Sequence, residues 1–207
     1  MYKQSTSTAP EGIFDRYHRT AQVRIRNNTS NDLVGVSVAH KYSDDYKDYG
    51  SWGLIRPGDV SSTITVNYTT GTFTTGRDWW LLQFATDKWF CHTDPKNFRE
   101  VIDFLESQAP SLIGKIVGLA TRMAMTRKGQ QPPPDLDRLV ENAEKAAESL
   151  VRLLTNGEST VGFKQHILKD ADANRTTEII VNSDWSITFH STSGDSETKL
   201  AWKDMSQ

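Results

Sequence analysis

Strand-like and helix-like segments occupy separate blocks of this chain, and their order limits the fold more than any other feature. Apolar residues alternate with polar ones early, as at Val23 and Ile25, and again late, over positions 185–190. Between them, positions 94–156 carry apolar residues at helical spacing. Because strand segments flank the helical block, we expect one antiparallel β-sandwich that both halves of the chain complete. The predicted class is mainly β with an α insertion.

Start and stop signals divide the helical block into three predicted helices. Asp94 before Pro95 is typical of a helix start, Ser111 is placed to cap a second helix after Pro110, and Asp135 a third. We therefore predict a polar leader over 1–19 and a single domain over 20–207, with the helical insertion at about 94–156.

The second helix permits two interpretations. Its apolar stripe over positions 112–125 is compatible with a membrane interface or with burial in the protein. Gly114 and Gly118 are four residues apart, a spacing that allows another backbone to approach closely. The third helix offers small residues at Ala143 and Ala147. We favour packing of the two helices as a hairpin over membrane contact.

The stretch TTGTFTTGRDWWLLQF, from Thr69 to Phe84, resembles a phosphate-binding loop only in its glycines. Gly71 and Gly76 have the right separation, but Asp78 stands where that motif needs a hydroxyl, and a strand-forming run follows instead of a helix. We therefore interpret the segment as a loop that leads into a core strand.

Adjacent side chains of a strand point to opposite faces, so Trp79 and Trp80 cannot both enter one core. The continuous apolar run of this strand favours a central position with both faces covered. Arg77 and Asp78 precede it, and we expect them to anchor the loop through hydrogen bonds or an ion pair. Asp78→Ala should then destabilise the fold without abolishing a reaction.

Composition excludes several classes of partner and compartment. The formal net charge of -2 gives no overall field for nucleic acid or anionic lipid. A single cysteine allows no internal disulfide, and no apolar run approaches the ~20 residues of a membrane-spanning helix. The first residues lack the apolar core of a secretory signal. We expect a cytoplasmic protein.

No catalytic residue, metal ligand or cofactor site is predicted from a motif. Cys91 and His92 are neighbours whose side chains diverge in a strand, and the five histidines lack a recognised metal-binding spacing. An enzyme remains the third hypothesis. It requires distant residues to converge in one pocket with shifted pKa values, for instance His40, His166 or Asp78.

The segment KYSDDYKDYGSWG predicts a solvated, tyrosine-rich loop. Its aspartates lack the glycine and terminal glutamate of a calcium loop. Exposed aromatic residues there would suit recognition of a membrane lipid or a glycan. The candidate ligand-binding residues are Tyr42, Tyr46, Tyr49, Trp52 and His40.

Four segments follow one another along the chain: AQVRIRNNTS, WGLIRPGD, TGRDWWLLQF and GFKQHILKD. Together with others in the same order, they resemble the PUD domain family of fungal type, a family named for nematode proteins up-regulated in long-lived insulin-signalling mutants. The resemblance implies a β-sandwich with a V-shaped helical hairpin, and it implies no catalytic set. Arg77, Asp78, Trp79 and Trp80 transfer as structural signatures only. Pairing among the nematode members implies a homodimer or a paralogous partner.

A weaker resemblance covers less than half of the chain. The alternating strand that ends in NNTS, the WG loop, the PG turn and the TTGR stretch are similar to aegerolysins, sandwich proteins that recognise membrane lipids. The function that we predict is a non-enzymatic cytosolic interaction or binding protein that self-associates. Recognition of membrane lipid or glycan by an aegerolysin-like sandwich is the alternative.

Overall fold

The computed structural model describes residues 16–43, 45–71, 76–87, 89–93, 103–105, 107–156, 160 and 162–205. The strands are β1 Arg16–Asn27, β2 Leu33–Tyr42, β3 Tyr46–Ile55, β4 Ile64–Gly71, β5 Asp78–Ala85, β6 Trp89–Thr93, β7 Lys164–Gln165, β8 Thr176–Val181, β9 Ser186–Ser191 and β10 Gly194–Asp204. Two longer helices, α1 Pro110–Arg127 and α2 Leu136–Asn156, stand between β6 and β7. A 3-10 helix spans Asp170–Asp172. The mainly β class with a helical insertion is confirmed.

The sheet forms a nearly closed barrel, which corrects the expected sandwich. Its strand order is β3-β2-β5-β6-β10-β9-β8-β1-β4, with β7 paired to β5. Side chains connect the two edge strands: the Asp48 carboxylate of β3 accepts hydrogen bonds from the Asn67 backbone and side chain of β4, at 2.7 and 2.9 Å. The Trp52 indole also donates to the Ser62 hydroxyl at 2.9 Å. Edges linked in this way leave one enclosed core rather than two separate sheets.

One strand pair is parallel, so the purely antiparallel arrangement that we expected is wrong in this detail. β1 lies between β4, to which it is antiparallel, and β8, to which it is parallel. No hairpin fixes the direction of β8 relative to β1, because the long helical segment separates them. β1 also begins at Arg16, inside the predicted leader, since outward polar side chains hide the start of the strand.

An inner cluster fills the barrel, and an outer cluster lies between the sheet and the helices. Trp80 is 0 % exposed in the inner cluster, whereas Trp79 packs against the outer one. Both faces of β5 are therefore covered, as its continuous apolar run predicted. The apolar face of α1 belongs to the outer cluster, through Ile113, Ile116 and Met123 among others. This burial confirms packing in place of membrane contact for that face.

The glycine that allows a close approach of backbones lies in the sheet and not in α1. A Cβ built on Gly114 or Gly118 would meet nothing within 4 Å, so the role predicted for these glycines is wrong. A Cβ on Gly53 of β3 would lie 2.3 Å from the Val140 carbonyl oxygen of α2. Glycine at this position of β3 allows α2 to lie directly on the sheet.

The predicted helix boundaries are confirmed in part. α1 begins at Pro110 with Ala109 before it, so Ser111 lies inside the helix rather than capping it. Residues 103–105 and 107–108 are helical, while Asp94 and Pro95 lie outside the described residues. No helix of the described segments has the length and apolar character to cross a membrane.

Candidate functional site

The five candidate ligand-binding residues do not form an exposed aromatic patch. Strands β2 and β3 run to within three residues of each other, so the predicted tyrosine-rich loop is a tight turn flanked by strands. Tyr42 is 2 % exposed and Trp52 is 9 % exposed, both in the inner cluster. Tyr49 lies on the outer side, with the Arg152 guanidinium 5.3 Å from its ring centroid. Tyr46, half-buried, packs against the inner cluster.

His40, the fifth candidate, lies at the centre of a buried polar network. Its Nε2 is 2.8 Å from Asp78 Oδ1, and its Nδ1 is 3.3 Å from Asp48 Oδ2. The other Asp78 oxygen accepts the backbone N–H of Leu168 at 2.9 Å. The Trp80 ring packs on the imidazole with centroids 4.2 Å apart. This His40 network, defined as His40, Asp48 and Asp78, joins β2, β3 and β5 to the segment after β7.

The carboxylates favour the protonated form of His40. Burial opposes the charged imidazole, but the hydrogen bonds to Asp48 and Asp78 and their negative charges outweigh it, so the pKa of His40 is raised. Burial likewise opposes ionisation of Asp48, yet hydrogen bonds from His40 and Asn67 keep its pKa below the ordinary value. The network is a structural connection within the barrel.

Stability should therefore fall as the pH rises above about 6.5. The folded state keeps the His40 proton after an unfolded histidine has lost it, so this stabilisation is complete below the unfolded pKa and is lost through the raised folded pKa. We expect a slope of at most about 1.4 kcal/mol per pH unit in urea unfolding between pH 6.5 and 8.

Other shifted groups act outside this pH window. The lowered pKa values of His92 and His166 affect stability below pH 6.5, and Lys41, whose pKa burial lowers to about 8, acts above that value. His40→Gln should flatten the decline. A His40→Gln variant that retained the full slope would show that another group causes it.

The residues proposed for an assembled catalytic site converge, but around a closed core. The backbone N–H of His166 donates to the Asp78 carbonyl at 3.3 Å, and the His166 ring contacts the Ser191 and Ser196 hydroxyls at 2.7 and 2.8 Å. Burial lowers the pKa of His166. Because the side chains of His40 and Asp78 are 0 % exposed, no substrate atom reaches them in this conformation.

Arg77 and Asp78 anchor different segments. The backbone N–H of Arg77 donates to the Ser43 hydroxyl, which connects it to the β2–β3 turn. Asp78 instead holds the segment around Leu168, as described above. Strand β5 begins at Asp78, so no helix follows the two glycines and the phosphate-loop geometry is absent there. Residues 72–75 lie outside the described part of the chain.

Cys91 and His92 point to opposite sides of β6, as predicted. Cys91 belongs to the inner cluster, and burial, followed by the negative charge of Asp87, raises its pKa to about 12. Burial lowers the pKa of His92 to about 4. A neutral thiol and a neutral imidazole on different faces do not form a nucleophilic pair. Within the described segments, no cluster of three His, Cys, Asp or Glu side chains is arranged to hold a metal ion.

A cavity of about 470 Å³ opens at the other end of the barrel from the His40 network. Three tryptophans line it: Trp89 at the start of β6, Trp185 before β9 and Trp202 near the end of β10. Asn31 and Asp87 add polar groups from the β1–β2 and β5–β6 connections. We call this site the tryptophan cavity. Its residues come from five segments, which is why no local pattern in the sequence predicted it.

Two further features of the tryptophan cavity bear on its role. Thr86, another lining residue, is 1 % exposed and its hydroxyl has no hydrogen-bond partner among the described residues. Such buried polar groups are rare in native proteins and call for an explanation. Trp89 and Trp202 lie nearly perpendicular, at 79°, with ring centroids 6.4 Å apart.

Trp185 adopts a backbone conformation that normally belongs to glycine or asparagine. Its φ is +65°, within the turn that joins β8 to β9, so it precedes β9, yet its side chain packs against the inner cluster with Ile187 and Phe189, as the alternating pattern predicted. The Trp185 N–H donates to the Asn182 carbonyl at 3.0 Å. Trp185 thus combines a strained backbone conformation with a side chain that lines a cavity. Residues that conflict with local backbone preferences in this way are concentrated at functional sites.

At position 185 the glycine variant should be more stable than the alanine variant, which is the reverse of the usual order of stability for these two substitutions. Trp185→Gly removes both the side chain and the left-handed strain, whereas Trp185→Ala keeps the strain, so the glycine variant should be more stable by about 1 kcal/mol. Chemical denaturation of the two variants measures this difference. An alanine variant at least as stable as the glycine variant would rule out strain at this position.

The family comparison covers the chain from β1 into β10. A family model described as Up-Regulated in long-lived daf-2 matches residues 17–200, which include the helical hairpin and residues of both ends of the barrel. No curated protein matches the chain. The fungal-type assignment stays a prediction. With the family model covering nearly its whole length, this chain belongs to the PUD family, the proteins up-regulated in long-lived daf-2.

Proposed function

We propose that this PUD-family chain is a non-enzymatic binding protein that holds a small organic ligand in the tryptophan cavity. The observation that carries the proposal is the cavity itself: about 470 Å³, lined by three tryptophans together with Asn31 and Asp87. Ligand pockets commonly combine this size with apolar walls and a few polar groups that orient the ligand. Trp185, held at positive φ, and the Thr86 hydroxyl, which has no hydrogen-bond partner within the described segments, support a role beyond packing.

The closed state of the other polar cluster supports binding over catalysis. His40 and Asp78 are fully buried, and Asp78 uses its two oxygens on His40 and the Leu168 backbone. A general base needs reach to a substrate proton, which this arrangement denies. We therefore attribute the raised pKa of His40 to its role in stabilising the fold.

Glycan recognition is the second candidate, and Trp202 favours it. This side chain is 55 % exposed at the rim of the cavity, where an aromatic face is available to a sugar ring, and Asn31 and Asp87 lie in reach as hydrogen-bonding groups for hydroxyls. The membrane-lipid alternative no longer has an exposed tyrosine patch to support it, because Tyr42 and Trp52 are buried.

Isothermal titration with three probes tests the binding function. Benzyl alcohol, methyl β-glucoside and choline each present a ring or methyl face to tryptophan. We expect saturable binding of at least one probe to the wild-type chain, weakened roughly fivefold or more in Trp202→Ala. Ile167→Ala is the control, since Ile167 is 46 % exposed and lines a different cavity. Equal binding to the wild-type chain and Trp202→Ala, or no binding of any probe, would contradict the proposal.

Self-association stays a prediction. Light scattering of the purified chain measures it directly: a dimer mass that persists on dilution supports a homodimer, and a monomer mass at all concentrations contradicts it.

A further inference from the structure

We propose that the ligand of the tryptophan cavity carries a methylated ammonium group, held between the tryptophan rings and the Asp87 carboxylate. The inference rests on the binding function proposed above and names the ligand class for that same cavity. Aromatic rings attract cations through the negative charge of their faces, tryptophan most strongly, and cages of aromatic rings recognise quaternary ammonium groups.

The ring geometry suits a cation that contacts more than one tryptophan. Trp89 and Trp202 have centroids 6.4 Å apart and ring planes at 79°, so two walls of the cavity stand nearly at right angles. A cation within about 6 Å of both centroids would interact with both rings. Trp185 adds a third ring from the β8–β9 turn. Trimethylammonium has the apolar methyl surface that these walls prefer and the charge that they attract.

Asp87 supplies the opposite charge. Its backbone carbonyl accepts a hydrogen bond from the Thr121 hydroxyl at 2.7 Å, which fixes the residue in the β5–β6 turn. Within the described ranges, no cationic side chain forms an ion pair with the Asp87 carboxylate. The negative charge of Asp87 contributes to the raised pKa of the Cys91 thiol, which lines the same cavity, so its field is felt inside. The negative charge of Asp87 would attract an ammonium group that enters the cavity.

Two described cations beside the cavity leave this attraction in place. Arg127 and Lys128 line an adjoining cavity that shares Asn31 and Asp87 with the tryptophan cavity. Arg127 is already engaged, donating to the Ser30 carbonyl and, at 2.9 Å, to the Asp32 carboxylate. Lys128 is exposed to solvent. A ligand with an anionic group beside its ammonium has a partner for that group here.

The experiment compares choline with 3,3-dimethyl-1-butanol, a neutral molecule of nearly the same shape, by titration calorimetry. We expect choline to bind roughly tenfold more tightly, because only choline gains from the rings and from Asp87 as a cation. Asp87→Asn keeps the shape of the side chain and should remove most of this preference. Asp45→Asn makes the same change of charge in the β2–β3 turn, at the other end of the barrel, and should leave it intact.

The outcomes separate this inference from the binding function. Equal affinities for choline and the neutral molecule, both weakened by Trp202→Ala, would overturn the ammonium inference and leave the cavity as a ligand site. Binding of benzyl alcohol or methyl β-glucoside without choline would do the same. No binding of any of these molecules would contradict both. A preference for choline that Asp87→Asn removes supports both.

Two further probes distinguish the source of the ammonium group. Phosphocholine tests the adjoining Arg127 and Lys128, and vesicles of phosphatidylcholine, compared with vesicles of phosphatidylglycerol, test a lipid headgroup. Co-sedimentation with phosphatidylcholine alone would assign the group to a membrane lipid. Binding of free choline or phosphocholine without co-sedimentation would assign it to a soluble ligand. Either result supports recognition of the methylated ammonium.

Discussion

Replacing Asp78 by alanine should destabilise the fold by about 3–5 kcal/mol, the usual cost of removing one partner of a buried charged pair. The Asp78 side chain is 0 % exposed, and its loss would leave the buried His40 imidazole without the bond at 2.8 Å. The Leu168 N–H would lose its acceptor as well. The effect should therefore appear as a large decrease of the urea midpoint.

Asp78→Asn is the matched variant for this prediction. The amide keeps the shape of the carboxylate and one acceptor oxygen, so we expect a loss smaller than that of alanine but still measurable, since the negative charge beside His40 disappears. Ligand binding at the tryptophan cavity should persist in Asp78→Asn under folding conditions. An Asp78→Ala chain with wild-type stability would show that the His40 network does not support the fold.

Replacing Gly53 by alanine should cost about 3 kcal/mol, because the added methyl group has no space. Its Cβ would lie 2.3 Å from the Val140 carbonyl oxygen and 2.6 Å from Val140 Cγ1. The first of these atoms is helix backbone, so α2 must move away from the sheet and the outer cluster must open. Thermal unfolding should show a clearly lower Tm.

Gly114→Ala is the control, and its expected sign is opposite. Gly114 lies in α1 with open space where a Cβ would be, so alanine should stabilise the helix by about 0.5–1 kcal/mol. The pair of variants separates contact with α2 from any general effect of losing a glycine. A Gly53→Ala chain as stable as the wild type would mean that α2 does not lie on β3 as described.

Local patterns in the sequence predicted the strands and helices of this fold better than they predicted the closure of the sheet into a barrel. The apolar run of β5 predicted that Trp79 and Trp80 face opposite sides and that both faces are covered, because alternation along a strand is a local property; the structure places Trp80 inside and Trp79 against the outer cluster. Asp48 helps to link the two edge strands of the nearly closed barrel. From its charge and its neighbours, the sequence predicted that this residue lies in a loop. Only the three-dimensional pairing with Asn67 and His40 explains a carboxylate in β3 at that point.

The two polar regions differ in how far the sequence revealed them. His40, Asp78 and His166 were grouped together for the enzyme hypothesis, and they do converge, as part of the core. The tryptophan cavity was missed, since its rings come from segments far apart in the chain. One local signal was available: Trp185 follows Asn182, Ser183 and Asp184 in a turn where glycine or asparagine is usual.

The most direct test of the tryptophan cavity as the site of an ammonium ligand is a two-dimensional ¹H–¹⁵N spectrum of the indole groups, recorded with and without choline. The chain has six tryptophans, and Trp52 and Trp80, whose indoles bond to Ser62 and to the His166 carbonyl, serve as internal references. We predict that the signals of Trp89, Trp185 and Trp202 move in a saturable way while those of Trp52 and Trp80 stay in place. A spectrum in which the three cavity signals do not move, or move no more than the two references, would contradict the account.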